Sequence, residues 1–510
     1  MSSSPDPGAV TAAVTTSDTA AAPPPTSGLV VPPASWAGLA VATGLVAGCR
    51  VAGTVLTGAG FDLHLGDAWP LHGFWRPADT GPPLFVAVIV AGLGLWYAPR
   101  LAASLRWGRL LAAAYLAAVA WTIALAVSDG VAGLTRPLAS RHEYPSDLDR
   151  VTDLGGFLPT FADHIVGEPR WVAHVGGHPP GAFGTFVVLD RIGLGGGVWP
   201  GVVCVLIGAV AVPAVLSTVR LLGTESLSRR AAPFLVFAPA ALWIAVSADA
   251  LFTGVSAAGI CALAHAARRR GPGSDGLAVA GGLALGVTLF LSYGLTLLGP
   301  LAIAVVAVQR RFRPLVIGGL GVAAVVAGFA AAGFLWWDGL ALTVERVHLG
   351  AAWRDRPQPY FWFANLAALA IAVGPAVVSG LPLLARHWRG GTIAARAATA
   401  GRAGNLAGAD SVSVPAAGAG ETVRADSGAG TGQLVRTGTA WLVLPAAGLL
   451  AIGLAGVSGL TTGEVERIYL PFAVWLIPAA ALLPARTGRG WLAAQLIATL
   501  TLEALLRLSW

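Results

Sequence analysis

The feature that most constrains this chain is a series of apolar segments of about 20 residues, separated by short loops that contain arginine. A segment of that length can cross the hydrocarbon core of a bilayer as a helix. Soluble proteins need about a quarter of their residues charged to cover their surface, whereas only 11% of this chain is charged. We therefore predict an all-α polytopic membrane protein. The formal net charge of +7 does not indicate nucleic-acid binding, because the arginines are dispersed over short loops.

The lengths of the apolar segments predict about 13 transmembrane helices. They cover residues 36–58, 83–98, 108–128, 199–221, 231–247, 250–267, 275–292, 294–309, 315–336, 361–385, 439–460, 468–485 and 490–508. With the amino terminus inside, all the arginine-rich loops fall on the cytoplasmic side and the carboxyl terminus lies outside. Counting the short apolar segment 181–194 as a span would move every later arginine loop outside. We therefore predict a juxtamembrane or re-entrant helix on the outer face for that segment.

Composition divides the chain into four parts. Residues 1–34 are rich in Ser, Thr, Ala and Pro and are predicted to be a disordered cytoplasmic tail. Residues 35–389 form a membrane domain with a large outer loop at 129–198. A second low-complexity segment, 390–438, is predicted to be a disordered cytoplasmic loop, and residues 439–510 form the carboxyl-terminal membrane helices.

The predicted outer loop concentrates the residues that could do chemistry. Its core reads RHEYPSDLDRV, FLPTFADHI and EPRWVAHVGGHPPG. Carboxylates can deprotonate a hydroxyl group, arginine can hold a phosphate with two hydrogen bonds, and tryptophan can stack on a sugar. A loop that needed only to be soluble would have little use for so many aromatic residues and prolines. The combination therefore favours a functional site in this loop.

Two features in or near this loop can be explained either by a functional role or by a structural one. His174 and His178 are four residues apart, a spacing that zinc sites use on helices. The glycines and prolines around them argue against a helix through both, and no HExxH acid is present, so we predict no metal site. Asp249, in WIAVSADALF, lies at the outer end of a predicted span. A functional role and a helix N-cap role suit it equally well.

Four short motifs together resemble one family. HEY at 142–144, GHPPG at 177–181, SADALF at 247–252 and GEVERIYLPF at 463–472 are similar to motifs of the GT-C superfamily of membrane glycosyltransferases, and more narrowly of an actinobacterial multi-spanning group. The resemblance covers about 108–510 apart from the 390–438 loop. It implies an enzyme of the cell membrane that moves a sugar from a polyprenyl-phosphate donor to a lipid or glycan acceptor of the cell envelope. Its active site would face the extracytoplasmic side, with 129–198 as the catalytic loop, no cofactor beyond the lipid-linked donor substrate, and no nucleic-acid partner.

The resemblance also implies residue roles. Glu143 or Asp147 would be the catalytic base. Family members often have adjacent acids at this motif, whereas here His142 precedes Glu143, so the choice between the two carboxylates stays open. His178 would help to orient the donor phosphate or close the site, and Arg467 would bind the lipid phosphate with Glu466 and Tyr469 nearby. The substrate-binding candidates are Tyr144, His178, Asp249, Glu466 and Arg467.

Other classes of function remain open at this stage. A secondary transporter or flippase of a lipid or polar metabolite is the main alternative. Transporters usually have internal repeats and ionisable or broken helices near the membrane midplane, and the sequence shows neither repeats nor a charge cluster there. A scaffold that keeps the fold but has lost its base is a third option.

Overall fold

The computed structural model describes residues 31–76, 82–389 and 438–508, and this part of the chain is almost entirely helical. The predicted disordered segments 1–34 and 390–438 lie outside it, except for residues 31–34 and residue 438. The α-helices are α1 Pro33–Gly58, α2 Pro82–Ser104, α3 Trp107–Ala126, α4 Leu154–Thr160, α5 Asp163–Val166, α6 Ala173–Gly176, α7 Pro180–Arg191, α8 Trp199–Ala209, α9 Ala211–Leu222, α10 Glu225–Val236, α11 Ala241–Ile244, α12 Ala248–Arg268, α13 Pro272–Leu291, α14 Gly299–Ala307, α15 Arg313–Ala331, α16 Trp336–Leu349, α17 Ala351–Asp355, α18 Gln358–Val373, α19 Pro375–Arg389, α20 Val443–Val457, α21 Val465–Ile468, α22 Leu470–Ala473 and α23 Gly488–Leu505.

Shorter elements connect these helices. A two-stranded antiparallel sheet pairs β1 (Gly73–Trp75) with β2 (Leu506–Leu508). The 3₁₀ helices are Val127–Asp129, Val131–Leu134, Tyr144–Arg150, Tyr293–Leu298, Ile477–Leu482 and Ala485–Thr487.

Eight helices in the described part are long and apolar enough to cross a membrane, or up to ten if each of two bent pairs is one span. This confirms the predicted class, an all-α polytopic membrane protein. The predicted spans at 231–247 and 294–309 are less regular. The first is the end of α10, a break and the short α11, and the second is a 3₁₀ turn followed by α14. The total of 13 spans stays a prediction.

Helix α12 lies at the centre of the helical assembly. Of its most apolar 18-residue window, 72% is buried, compared with 11% for α1 and 17% for α15. Small residues allow this close packing: a Cβ added to Gly254 would come within 1.9 Å of the Ile207 carbonyl oxygen of α8. Because α12 begins at Ala248, its first turn carries Asp249 into the interior.

The carboxyl-terminal hairpin has two helical arms, Leu470–Leu482 and Ala485–Leu505, which meet at a bend of 110°. Just before the first arm, Glu466 accepts a hydrogen bond from the His72 backbone N–H. Just after the second arm, β2 pairs with β1, which begins at Gly73. Both arms therefore end beside the 59–76 loop, and the turn between them lies at the opposite end of the hairpin.

Side chains near that turn contact loops that the arginine pattern predicts on the cytoplasmic side. The Arg230 guanidinium donates to the Leu483 carbonyl, and Arg229 donates to the Ala102 and Leu105 carbonyls at 2.7 and 2.9 Å. The turn, the α2–α3 connection and the start of α10 therefore lie together, away from the 59–76 loop.

The bend between α18 and α19 occurs at Gly374, which has φ = 85°, and the two helices meet at 106°. Breaking a helix exposes backbone groups that lipid cannot satisfy. Gln495 of α23, which is fully buried, satisfies two of them: its Nε2 donates to the Val373 carbonyl at 3.0 Å, and its Oε1 accepts from the Ala376 N–H at 3.1 Å. One amide side chain thus stabilises the break.

Candidate active site

A buried arginine organises the polar centre of the molecule. Arg467 Nη1 lies 3.2 Å from Glu143 Oε1, and Nη2 lies 2.9 Å from His174 Nε2 and 3.2 Å from Glu464 Oε2. Its Nε lies 3.7 Å from Asp249 Oδ2. We call these five residues, Glu143, His174, Asp249, Glu464 and Arg467, the arginine cluster. Of the seven site residues predicted from the sequence, three lie in this cluster: Glu143, Asp249 and Arg467.

Most members of the cluster lie at or next to short elements, and Asp249 lies in the first turn of the long helix α12. Glu143 is the residue before the 3₁₀ helix Tyr144–Arg150, and His174 lies in the four-residue helix α6. The His174 N–H donates to the His142 carbonyl at 3.0 Å, which joins the two parts of the outer loop. Asp249 lies in the first turn of α12, and Ser247, not Asp249, is the N-cap. The carboxylate of Asp249 is therefore left to face Arg467.

His174 lies between Glu143 and Arg467, and these two neighbours determine which of its ring nitrogens carries the proton. His174 Nδ1 lies 2.7 Å from Glu143 Oε1, and Nε2 faces Arg467. A guanidinium can only donate, so Nε2 must accept and Nδ1 must carry the proton that it donates to Glu143. Glu143 Oε1 then accepts from both His174 and Arg467. Its other oxygen, Oε2, is buried and has no hydrogen-bond partner in the described part of the chain.

The acids of the cluster that lie outside the spans are held ionised. Burial by itself would raise the pKa of Glu143, but the nearby His174 and Arg467 lower that pKa from 4.5 to about 2. Burial opposes the same effect at Glu464, where Arg467 and His72 lower the pKa to about 2. Reciprocally, although burial favours the neutral form, the facing carboxylates raise the pKa of Arg467. Glu143, Glu464 and Arg467 are therefore charged at neutral pH.

The arginine cluster is mostly buried, but some of its side chains are partly exposed to solvent. The side chains of His72, His174 and Glu464 are 20%, 20% and 26% exposed, whereas those of Glu143 and Arg467 are 4% and 7% exposed. Solvent therefore reaches the cluster past the two histidines and Glu464.

Tyr144 and His178 form an aromatic layer against the cluster. The Tyr144 ring stacks on Phe186 with centroids 4.9 Å apart and lies 5.9 Å from the His178 ring. His178 Nδ1 lies 2.9 Å from the His174 carbonyl oxygen, to which it donates. Burial lowers the pKa of His178 and raises the pKa of Tyr144, so both are neutral at pH 7. His178 supports the backbone of His174 in this structure.

The motif HVGGHPPG has the local structure that its prolines predict. Helix α6 ends at Gly176, and Pro180 opens α7 as its first residue. Gly176 packs closely against Arg346: an added Cβ would lie 2.5 Å from Arg346 Nη1, and the guanidinium would have to move. Helix α7 has 12 residues, which is too short to span a bilayer.

Asp147, the other candidate base, lies in a different environment. It accepts a hydrogen bond from the Val172 N–H at 2.7 Å and pairs with Arg150 at 3.1 Å. Arg150 also donates to the Pro169 and Arg170 carbonyls at 2.7 and 2.8 Å. Asp147 thus holds two parts of the outer loop together, and no contact joins it to Arg467 among the described residues.

Glu466 and Tyr469 also point away from Arg467. Glu466 Oε1 accepts from the His72 N–H at 2.8 Å, and burial raises the pKa of Glu466 from 4.5 to about 7. The Tyr469 hydroxyl lies 3.2 Å from Thr461 Oγ1. Glu466 and Arg467 are consecutive residues of one helical turn, and the side chains of consecutive residues point in different directions. Glu466 therefore faces His72, and Arg467 faces the arginine cluster.

Sequence reasoning did not assign three residues of this site: His72, His174 and Glu464. His174 and Glu464 lie inside the quoted motifs, so a signal was present, but spacing could not show which histidine or which glutamate faces Arg467. His72 lies in an early loop with no motif of its own.

Within residues 31–76, 82–389 and 438–508, no three His, Cys, Asp or Glu side chains are arranged to hold a metal ion. The sequence matches no model of a known protein family and no curated protein. The functional interpretation therefore depends on the geometry of the arginine cluster and on the motif resemblance.

Proposed function

We propose that this chain is a GT-C-type membrane glycosyltransferase that moves a sugar from a polyprenyl-phosphate donor to a hydroxyl group of a lipid or glycan acceptor on the outer face. The observation that carries the proposal is the state of Glu143. This carboxylate is ionised, buried and held through Oε1 by two donors, while Oε2 has no hydrogen-bond partner among the described residues. An oxygen in that position can accept a hydrogen bond from an acceptor hydroxyl.

In the proposed reaction Glu143 acts as the general base. The acceptor oxygen attacks the anomeric carbon of the donor, its proton passes to Glu143 Oε2, and the bond between the anomeric carbon and the phosphate oxygen breaks. Polyprenyl phosphate leaves with the bonding electrons. A base with a pKa of about 2 is weak. A donor phosphate that draws Arg467 away from Glu143 would raise the pKa of Glu143 and strengthen it as a base.

The remaining candidates take supporting roles. Arg467 already contacts three carboxylates and His174, so a phosphate would bind it by replacing one of them. Its first role is to position Glu143, and donor binding is the second. Asp147 positions the loop through Arg150 and the Val172 N–H.

The direct test is transfer of label by the purified full-length chain. We expect radiolabelled sugar to move from at least one polyprenyl-phosphate sugar to an acceptor present in extracted membrane lipids, and free polyprenyl phosphate to accumulate in equal amount. Boiled protein is the control. Absence of transfer with every donor, from protein that elutes as a folded species, would contradict the proposal.

A secondary transporter is the second candidate, because the break between the two arms of the carboxyl-terminal hairpin lines a cavity through Leu483 and Ala485. Broken helices at a cavity are typical of transporters. Sealed vesicles distinguish the two: a transporter accumulates an unmodified labelled substrate, whereas a transferase changes its chemical form.

We further propose 13 spans with the amino terminus inside and the arginine cluster outside. The contacts of Glu466 with His72, and of Arg230 with Leu483, support this order of faces. A cysteine introduced at Ser146, which is exposed in the outer loop, should react with an impermeant maleimide added outside intact cells. A cysteine at Gly273, which is exposed with no atom near its Cβ position, should react only after permeabilisation. Labelling in the opposite sense would invert the topology.

A further inference from the structure

A second polar site lies at the opposite end of the carboxyl-terminal hairpin from the arginine cluster. It is a cavity of about 660 Å³. Its walls come from the end of α2, the start of α10 and the turn of the hairpin, and are lined by Pro99, Ala103, Glu225, Ser226, Arg229, Arg230, Pro233, Phe234, Ala480, Ala481, Leu483, Ala485, Arg486, Gly488, Arg489 and Leu492. From the start of α2 to Ala103 the helix rises roughly 30 Å, at 1.5 Å per residue. The start of α2 follows the 59–76 loop, which lies beside the arginine cluster, and Ala103 near its end lines the cavity. The cavity and the arginine cluster are therefore separate sites near opposite faces.

Positive charge dominates this cavity. Four arginines and one carboxylate line it. Glu225 forms ion pairs with two arginines. Its Oε1 lies 2.7 Å from Arg229 Nη2, and its Oε2 lies 2.7 Å from Nη2 of Arg220, which lies outside the cavity. Three arginines, Arg230, Arg486 and Arg489, thus face the cavity without a carboxylate within ion-pair distance among the described residues.

These three arginines differ in how they are held. Arg230 donates to the Leu483 carbonyl, at the break between the two helical arms. Arg489 lies over the ring of Trp96, with its guanidinium carbon 5.6 Å from the centroid. Arg486 is exposed at the turn. The guanidinium groups therefore surround the mouth of the cavity from two chain segments that are about 250 residues apart.

The rest of the lining is apolar, and so is the surface beside it. Pro99, Ala103, Phe234 and Leu492 contribute hydrocarbon surface to the cavity. A neighbouring groove of about 280 Å³ between α2, α3 and α10 is lined almost wholly by apolar residues, and both cavities include Pro233 in their walls. A basic mouth beside an apolar groove matches a molecule with an anionic head and hydrocarbon tails.

We propose that this cavity binds the phosphate group of an anionic phospholipid. Phosphate oxygens would accept hydrogen bonds from Arg230, Arg486 and Arg489, and an acyl chain would lie along the groove beside α10. Arginine suits this ligand because its planar group can donate two parallel hydrogen bonds to one phosphate. Basic pockets between membrane helices are recognised sites for such headgroups. The site is independent of the proposed glycosyl transfer.

The test is lipid binding by the delipidated full-length chain, followed by native mass spectrometry. Phosphatidylglycerol should bind saturably and more tightly than phosphatidylcholine. The double variant Arg486→Gln/Arg489→Gln should bind phosphatidylglycerol about 30-fold more weakly, which is about fivefold for each arginine. The matched control is Arg268→Gln/Arg270→Gln, which removes two exposed arginines of another predicted cytoplasmic loop and should change the affinity less than twofold.

A second variant tests shape without charge. Ala103→Phe places a ring in the cavity from an exposed position on α2 and should also weaken binding of phosphatidylglycerol. Size-exclusion elution identical to that of the wild type would show that each variant is folded.

Competition with inorganic phosphate shows whether the cavity binds the phosphate of a lipid headgroup or free phosphate. We expect millimolar phosphate to displace little phosphatidylglycerol. Saturable phosphate binding that the Arg486/Arg489 double variant abolishes, without selective phosphatidylglycerol binding, would overturn the lipid assignment. Equal losses of phosphatidylglycerol binding in both double variants, or none in either, would overturn the site.

Discussion

Replacing Glu143 with Gln is expected to lower the rate of sugar transfer by a factor of about 100 or more, which is typical for loss of a general base. Gln keeps the size of the side chain but cannot take a proton, and its Oε1 can still accept the hydrogen bond from His174. The measurement is kcat for transfer of labelled sugar from a polyprenyl-phosphate donor by purified protein.

The matched control is Asp147→Asn, which changes the other candidate base, in the 3₁₀ helix that follows Glu143. Asp147 pairs with Arg150 at 3.1 Å and accepts from the Val172 N–H at 2.7 Å, so its loss should lower the thermal stability of the loop. The kcat of the folded protein should stay within a few-fold of wild type. If Asp147→Asn abolishes transfer while Glu143→Gln retains it, the assignment of the base is reversed.

The pH profile offers a further check on the same residue. Because the pKa of Glu143 is about 2, protonation of the free enzyme at Glu143 should not lower kcat/KM above about pH 4. The Glu143→Gln variant should be slow across the same range. A variant that recovered wild-type turnover at any pH would rule out Glu143 as the base.

Replacing Arg467 with Gln is expected to lower the free energy of unfolding by about 3–5 kcal/mol, the usual effect of removing one partner from a buried ion pair. Arg467 is 6% exposed and faces Glu143, Asp249 and Glu464. Without it, three carboxylates would lie close together with no guanidinium to offset their repulsion. The measurement is thermal or denaturant unfolding of purified protein in detergent.

This loss of stability should depend on pH in a defined direction. In the wild type, the pKa values of Glu143 and Glu464 are about 2, below their usual 4.5. Their contribution to stability is thus present above pH 4.5 and is lost as pH falls toward 2. In Arg467→Gln these pKa values should rise, so the folded variant binds protons more readily. The gap between wild type and variant should therefore be widest near pH 8 and narrow below about pH 5.

Arg467→Lys separates charge from geometry. Lysine keeps the positive charge but cannot reach Glu143, His174 and Glu464 at once, because it lacks the planar fork. We expect it to recover much of the stability and little of the transfer activity, with weaker use of the donor. Full donor affinity in Arg467→Lys would contradict two-point phosphate recognition. If Arg467→Gln were as stable as the wild type, the carboxylates of the cluster would not need the positive charge of Arg467.

Much of the architecture was predictable because the bilayer constrains a chain locally. An apolar segment such as 315–336 must be helical wherever it lies in lipid, since only a helix satisfies its backbone within one segment. Helix boundaries were predicted less well where a segment is interrupted, as in 231–247. There α10 continues past Pro233 and ends at Val236, and Pro239 lies in the break before α11. The helix predicted for 181–194 begins one residue earlier, at Pro180, because proline is locally preferred at the first position of a helix.

The sequence alone determined the class of the protein and the motifs that could meet, because both depend on short stretches of chain and on the energy of burying polar groups in lipid. It left Glu143 and Asp147 equivalent, and it assigned His178 rather than His174 to the site. Only the tertiary structure shows that Glu143 and His174 contact Arg467. Glu143 and Arg467 are 324 residues apart, and their contact requires several helices to pack in one arrangement. That packing decides which side of a short helix faces Arg467. The spacing of residues along the chain does not contain this information.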